Sequence, residues 1–241
     1  MLDSNQPSST IHASVPSFLR RKEKMKASIR ASLALVAMGT CAAASAQSAG
    51  TWMLKGGYNH FTTNESSGDI TGVPGGRISI GNAGGAFGSV GYMITNNIST
   101  ELALGVAPKF NIYGAGTVGF AGKLADTKAG PAAMSVQYRF FEPTSAFRPY
   151  VGAGVVYTIF SGTKATPAVS ALTGVPTTIS IGNKWGWAVQ AGATYAINDK
   201  WFVDASVAPT FVKLKARFST GQSVNVKGNL LAANVAIGYR F

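Results

Sequence analysis

The chain ends in Leu231-Ala232-Ala233-Asn234-Val235-Ala236-Ile237-Gly238-Tyr239-Arg240-Phe241, a run that alternates with a period of two. On a β-strand, Leu231, Ala233, Val235, Ile237, Tyr239 and Phe241 share one face, and Ala232, Asn234, Ala236, Gly238 and Arg240 share the other. The first face is apolar and mostly large, while the second is small or polar. Were the large face turned into a soluble core, the sheet would present the small face to water. Were the small face turned inward, it would supply too little volume to fill a core unless the other face met lipid. A strand with lipid outside and a narrow interior fits both faces.

The same pattern recurs over residues 51–62, 84–94, 98–108, 132–141, 149–160, 185–197, 201–212 and 229–241, which makes eight strands. The connections at 95–97, 142–148 and 198–200 are short. Those at 63–83, 109–131, 161–184 and 213–228 are long and rich in Gly, Ser and Thr. Short turns at one end and long loops at the other predict an all-β, eight-stranded antiparallel up-and-down transmembrane β-barrel. A strand of about 10 residues at roughly 3.3 Å each, tilted by about 40°, rises about 25 Å, the height of such a barrel's apolar band. The outward positions carry Trp52, Tyr58, Tyr92, Tyr138, Phe140, Tyr157, Trp185, Trp187, Tyr195, Trp201, Tyr239 and Phe241, mostly near strand ends where aromatic girdles belong. The alternative is a water-soluble β-sandwich or lipocalin-like barrel, in which alternation reports a buried core. No window repeats at helical spacing, although residues 165–173, bounded by Pro167 and Pro176, have room for one helical turn.

Composition agrees. Only 12% of the 241 residues are charged, against roughly a quarter in an average soluble domain, and 46% are hydrophobic. These values exclude a disordered tail, a coiled coil and an ordinary soluble enzyme surface. Residues 25–46 read as a signal peptide, with Met25, Lys26 and Arg30 in the basic segment, an apolar stretch from Leu33 to Met38, and Ala44-Ser45-Ala46 as the cleavage pattern. Residues 1–24 read as an upstream extension, or alternatively as a long basic segment of the same leader. The barrel then occupies 47–241. Removing residues 1–46 takes six basic and two acidic residues with it, so the formal net charge falls from +12 to +8. Cys41, the single cysteine, lies in that leader; Met38-Gly39-Thr40 before it is a poor lipidation pattern.

The alternation turns five charges inward: Lys55, Glu101, Arg139, Asp204 and Arg240. Each lies near a short turn or chain end, which gathers them as a polar floor at the periplasmic end, where opposite charges should pair. Above them the inward positions are Phe87, Ala103, Gly105, Gly154, Val156, Phe160, Ala188 and Ala208, an apolar path for a hydrophobic solute. Pro108 and Pro209, late in the third and seventh strands, lack ladder donors. They are candidate lateral exits, or alternatively mark where pairing ends near the loops. Lys213, Lys215 and Arg217 alternate outward about 12 residues beyond Trp201, roughly 30 Å up. Lipopolysaccharide phosphates would suit them; the bland alternative is a solvated loop edge.

Other chemistry is sparse. After residue 46 the chain has one histidine, His60, and seven carboxylates, Glu65, Asp69, Glu101, Asp126, Glu142, Asp199 and Asp204. Nothing places a serine beside His60 as a nucleophile. No cysteine or histidine spacing suits zinc, and Gly114-Ala115-Gly116 and Gly152-Ala153-Gly154 precede no helical pattern, so they are not phosphate loops. The sequence implies no enzyme, metal or cofactor, and an exported barrel does not meet nucleic acid.

Several segments resemble the OmpW family of outer-membrane proteins. They are Lys55-Gly56-Gly57; Tyr92-Met93-Ile94-Thr95-Asn96-Asn97-Ile98 with Glu101-Leu102; Phe147-Arg148-Pro149-Tyr150-Val151-Gly152-Ala153-Gly154 with Tyr157; Trp185-Gly186; and Gly238-Tyr239-Arg240-Phe241. The resemblance implies a monomeric eight-stranded barrel in the outer membrane that passes small hydrophobic molecules through a narrow apolar lumen with lateral exit; some members serve as colicin receptors. The terminal Tyr239-x-Phe241 resembles the signal read by the barrel-assembly machinery. The family's apolar constriction falls on Ala103 and Ala208, where this chain carries small side chains and departs from the pattern. Transport is thus the leading reading. A structural or loop-presenting envelope barrel, such as a phage or colicin receptor, is the second, and a lipid-modifying enzyme the third.

Overall fold

The computed structural model describes residues 47–63 and 66–241. The leader expected over 25–46, the upstream segment 1–24, Cys41 and Glu65 lie outside the described residues. Among the described residues the strands are β1 (Trp52–Thr63), β2 (Ser66–Ser67), β3 (Gly76–Ile80), β4 (Ala83–Met93), β5 (Ile98–Gly105), β6 (Lys109–Gly116), β7 (Lys123–Arg139), β8 (Phe147–Ala165), β9 (Ile179–Ile181), β10 (Lys184–Ala196), β11 (Trp201–Phe218) and β12 (Ser223–Arg240). A 3-10 turn spans Gly119–Ala121 and one helix, α1, spans Pro167–Thr173.

Eight strands close the barrel in the order β12-β1-β4-β5-β7-β8-β10-β11, and β11 pairs back onto β12. All neighbours are antiparallel, as an up-and-down chain requires. Each strand alternates between half-exposed apolar residues outside and small, polar or buried residues inside, so a single period sets closure, register and facing together. Aromatic pairs mark two belts on the outer wall. Trp52 with Tyr92, Tyr138 with Phe140, and Trp201 with Tyr239 lie at the end of the short turns; Tyr157 with Trp185 and Trp187 with Phe211 lie toward the other.

Four of the eight strands run well past the spans expected from the sequence. Residues 213–228 are not a long loop: β11 and β12 stay paired out to Arg217–Ser223 and join through a turn at 219–222. Likewise β7 begins at Lys123 and β8 continues to Ala165. The remaining loop residues fold onto these extensions. β3 pairs β6, β6 pairs the start of β7, β9 pairs β11, and β2 pairs β12. Beneath them Ile70, Ile78, Ile112, Val118, Leu124, Val169, Ile179, Val224 and Val226 form an apolar core of their own. The helical turn expected near 165–173 is α1, opened by Pro167 at its first position and closed by Gly174 in the left-handed region at φ 72°.

At the opposite end Phe202, Met53 and Met93 form a second, smaller cluster. Phe202 pairs in register with Gly238, and a β-carbon at Gly238 would run into the Phe202 ring. The glycine of the terminal Gly-Tyr-Arg-Phe run therefore makes room for the aromatic that seals this end.

Candidate functional site: a floored apolar lumen

The ionic floor expected from the sequence is present, with a different division of partners. Lys55 Nζ lies 2.9 Å from Glu101 Oε2 and 3.5 Å from Asp204 Oδ1, so one ammonium holds two carboxylates from β5 and β11. Tyr150 Oη donates to the Asp204 carboxylate at 3.1 Å, and Gln137 Nε2 donates to Glu101 at 2.7 Å. Each buried carboxylate thus has a cation and a neutral donor, the arrangement that offsets desolvation.

The expectation that Arg139 pairs with an acid is corrected. Its fully buried guanidinium donates to Ser99 Oγ at 3.0 Å, Gln137 Oε1 at 2.7 Å and Gln47 Oε1 at 3.4 Å, and lies 4.8 Å from the Tyr150 ring centroid. Among the described residues no carboxylate comes within ion-pair distance of it. The acids are taken by Lys55, whose slender amine reaches both, while the planar guanidinium finds amide and hydroxyl oxygens and an aromatic face. Arg240 lies 5.5 Å from the Phe202 ring centroid and donates to the Asn198 carbonyl at 3.4 Å.

Arg148 belongs to this floor and was not among the inward charges read from the sequence. It is 1% exposed and donates to the carbonyls of Gln47, Asn96, Phe140 and Phe141 at 2.9, 2.7, 3.2 and 3.2 Å. One side chain therefore ties the segment before β1 to two of the short turns. β8 starts at Phe147 rather than Pro149, which puts Arg148 and Tyr150 on the inward face with Gly152 and Gly154. Extending the strand back by one residue finds Arg148; Tyr150 already lies within the expected span, on the same parity as Gly152 and Gly154.

Above the floor lies a cavity of about 200 Å³. Phe87, Ala103, Gly105, Gly154, Val156, Phe160, Ala188 and Ala208 all line it, as the alternation predicts. Lys55, Glu101 and Tyr150 form its bottom. Its upper wall includes Ile80, Ile112, Ile181 and Leu214, which also pack into the loop core, so that core roofs the lumen. An apolar cavity of about 150 Å³ is enough to take up benzene, so this one has room for a small hydrophobic molecule.

The barrel wall lapses beside this cavity at two places. Between β10 and β11 the ladder holds at Ala188–Thr210 and resumes in the same register at Ala191–Val207, leaving Pro209 and Ala208 unpaired on that side. Pro209 still pairs with Leu231 on its other side. Between β5 and β7 pairing stops at Leu104–Ala132, and β7 pairs next with β6 from Lys128. Pro108 is not within the third barrel strand, as expected, but beyond it, between β5 and β6; its carbonyl accepts from Ala129 N–H at 3.1 Å. Pro131, on β7 and lining the cavity, stands at this second lapse and was missed. A proline at a mid-strand position lacks the donor that the neighbouring strand would accept.

Lys213, Lys215 and Arg217 are exposed on the outer face of β11, on paired strand rather than loop. Register adds Lys227, opposite Lys213. Phe211, one pleat below Lys213, stacks on Trp187 at 4.3 Å, so the cations begin directly above the aromatic belt. His60 is exposed on the outer wall and does not line the lumen.

A model of the OmpW family matches residues 48–241. "Outer membrane protein W" of Vibrio cholerae is 32% identical over 220 residues, 87% of this chain and 97% of that protein. The crystal structure of the outer membrane protein OprG from Pseudomonas aeruginosa superposes with a TM-score of 0.75 at 25% identity, covering 82% of this chain and 99% of OprG. A relative from Pseudomonas aeruginosa, "Dibenzothiophene metabolism operon protein PahQ", is 26% identical over 173 residues, 70% of this chain and 77% of its own length.

Proposed function

This chain belongs to the OmpW family of outer-membrane barrels, and from that premise we propose that it admits small hydrophobic molecules from outside and releases them sideways into the membrane. The observation that carries this reading is the cavity itself: apolar walls end on a paired ionic floor, and both lapses in strand pairing lie beside the apolar part. An apolar solute gains nothing by crossing the floor, where it would have to break paired charges, whereas lipid lies one strand away. The name of PahQ, tied to metabolism of an apolar aromatic, is consistent with such a solute. The test is uptake of labelled hydrophobic compounds by proteoliposomes with and without the protein. Equal uptake across several compounds would favour the second reading, an envelope barrel that presents loops, which the packed roof core supports.

Catalysis has no support in the site, since His60 stands outside the lumen. The proposal extends to two partners at the outer wall. Lys213, Lys215, Arg217 and Lys227, which begin just above the Trp187–Phe211 pair, would suit the phosphates of lipopolysaccharide through charge-assisted hydrogen bonds. Co-purification of lipopolysaccharide should fall in a variant with all four changed to alanine. Tyr239 and Phe241 lie on the outward face of the last strand, which would suit recognition by the barrel-assembly machinery, and Phe241→Ala should slow membrane insertion.

A further inference from the structure

Between the ionic floor and the apolar upper cavity lies a collar of uncharged polar side chains. Asn59 on β1 pairs in register with Asn234 on β12, and Asn234 with Ser206 on β11, so the three stand side by side on the inward face. Asn234 Nδ2 donates to Ser206 Oγ at 3.2 Å, and Gln190 Nε2 donates to Ser135 Oγ at 3.0 Å. All five line the cavity. Asn59 differs from the others. It is 6% exposed, and its Oδ1 has no hydrogen-bond partner. A desolvated amide oxygen left unpaired is costly and rare in native proteins, and here the residue that carries it lines a space large enough for a ligand.

The charges below limit what that ligand is. Lys55 is already held by Glu101 and Asp204, Arg139 by amide and hydroxyl oxygens, Arg148 by four backbone carbonyls and Arg240 by the Asn198 carbonyl and the Phe202 ring, so each floor cation is already engaged before a carboxylate head arrives. The floor's four cations, Lys55, Arg139, Arg148 and Arg240, outnumber its two carboxylates, but each already has partners of its own, so an ionised head would be desolvated there without displacing water for a free donor. An uncharged donor needs no counter-ion.

We propose that Asn59 Oδ1 is the head-group acceptor of an amphipathic solute site, which takes an uncharged molecule with an apolar body and a single hydroxyl, such as a medium-chain alcohol or a phenol. The body fills the apolar space lined by Ala103, Val156, Ala188 and Ala208, and the hydroxyl donates to Asn59. This deepens the uptake reading and rests on it. A plain alkane occupies the same space but leaves Asn59 unsatisfied.

The test measures binding of octan-1-ol, octane and octanoate to the protein in lipid nanodiscs, with free concentrations corrected for partition into empty nanodiscs. Octan-1-ol should bind about tenfold more tightly than octane, and octanoate more weakly than the alcohol. Asn59→Leu, close to asparagine in shape, should abolish the preference for alcohol while keeping octane binding. In the unaltered protein the Asn59 side-chain amide resonances should shift with octan-1-ol and not with octane, a readout that does not depend on the variant folding. Equal binding of alcohol and alkane, or a preference that survives Asn59→Leu, would overturn the site and leave the uptake reading standing. Failure of all three to bind would overturn both.

Discussion

Lys55 on β1 donates to Glu101 on β5 at 2.9 Å, although those strands are not neighbours in the sheet and β4 runs between them. The bond therefore crosses the inside of the barrel, and with Asp204 at 3.5 Å it links three strands through one ammonium.

Removing that ammonium alone leaves two buried carboxylates without a cation. Lys55→Met should destabilise the barrel by about 3–5 kcal/mol. The triple variant Lys55→Met, Glu101→Gln, Asp204→Asn should recover most of the loss, because no charge then remains unpaired at that point. Urea midpoints in micelles, followed by the heat-sensitive gel mobility of folded barrels, measure both.

The floor should also hold back ions. In planar bilayers the unaltered protein should give no resolvable ionic current, and Glu101→Ala with Arg139→Ala should raise conductance by removing two side chains that fill the floor. Large currents from the unaltered protein would sink the closed-floor reading.

Pro209 stands where the β10–β11 ladder lapses. Pro209→Ala supplies the missing donor and should close the seam. Uptake of a labelled solute should then slow several-fold with the barrel no less stable. Unchanged uptake would move the exit to the β5–β7 seam beside Pro131.

Arg148 donates to four carbonyls, two of them in the turn that follows β7. Arg148→Ala leaves those oxygens without their charged donor and should cost about 3 kcal/mol. The loss should appear as faster hydrogen exchange at residues 47–51 and 140–146, with the upper barrel unaffected. Arg148→Lys should restore little, since an ammonium cannot span the spread of carbonyls that a guanidinium fork reaches.

These side chains also show what the sequence made legible. A period of two fixes facing outright, so Leu231 to Phe241 could be sorted into wall and lumen residue by residue, and Lys55, Glu101 and Asp204 came out on one side together. Strand ends were harder. Lys213-Leu214-Lys215-Ala216-Arg217-Phe218 alternates as cleanly as any barrel strand, but its outward face is cationic, and composition made it read as loop. Placing the start of β8 at Pro149 hid Arg148 by one residue. Gln47 left no local signal at all, because its partners Arg139, Arg148 and Thr194 are distant in the chain and its segment has no period. Asn59 shares the parity of Lys55 on β1, yet alternation says nothing about whether its oxygen finds a partner.

The loops carry a pH dependence of their own. Asp69 accepts from Gly75 N–H at 3.0 Å and from Arg77 Nε at 3.2 Å, and these two contacts, the backbone one first, hold its carboxyl below the usual 3.8. A depressed value in the folded state means that the stabilisation is fully present above the unfolded value, near 4, and is lost as pH falls through the lower folded value. Protonation of Asp69, below the ordinary carboxylate value, should therefore loosen the turn that sets β3 against β6. Hydrogen exchange at residues 69–80, corrected for its intrinsic pH dependence, should accelerate as pH is taken below the ordinary carboxylate value of 3.8. In Asp69→Asn that acceleration should vanish, because an amide has no proton to gain. If the variant keeps the full acceleration, the turn answers to another group.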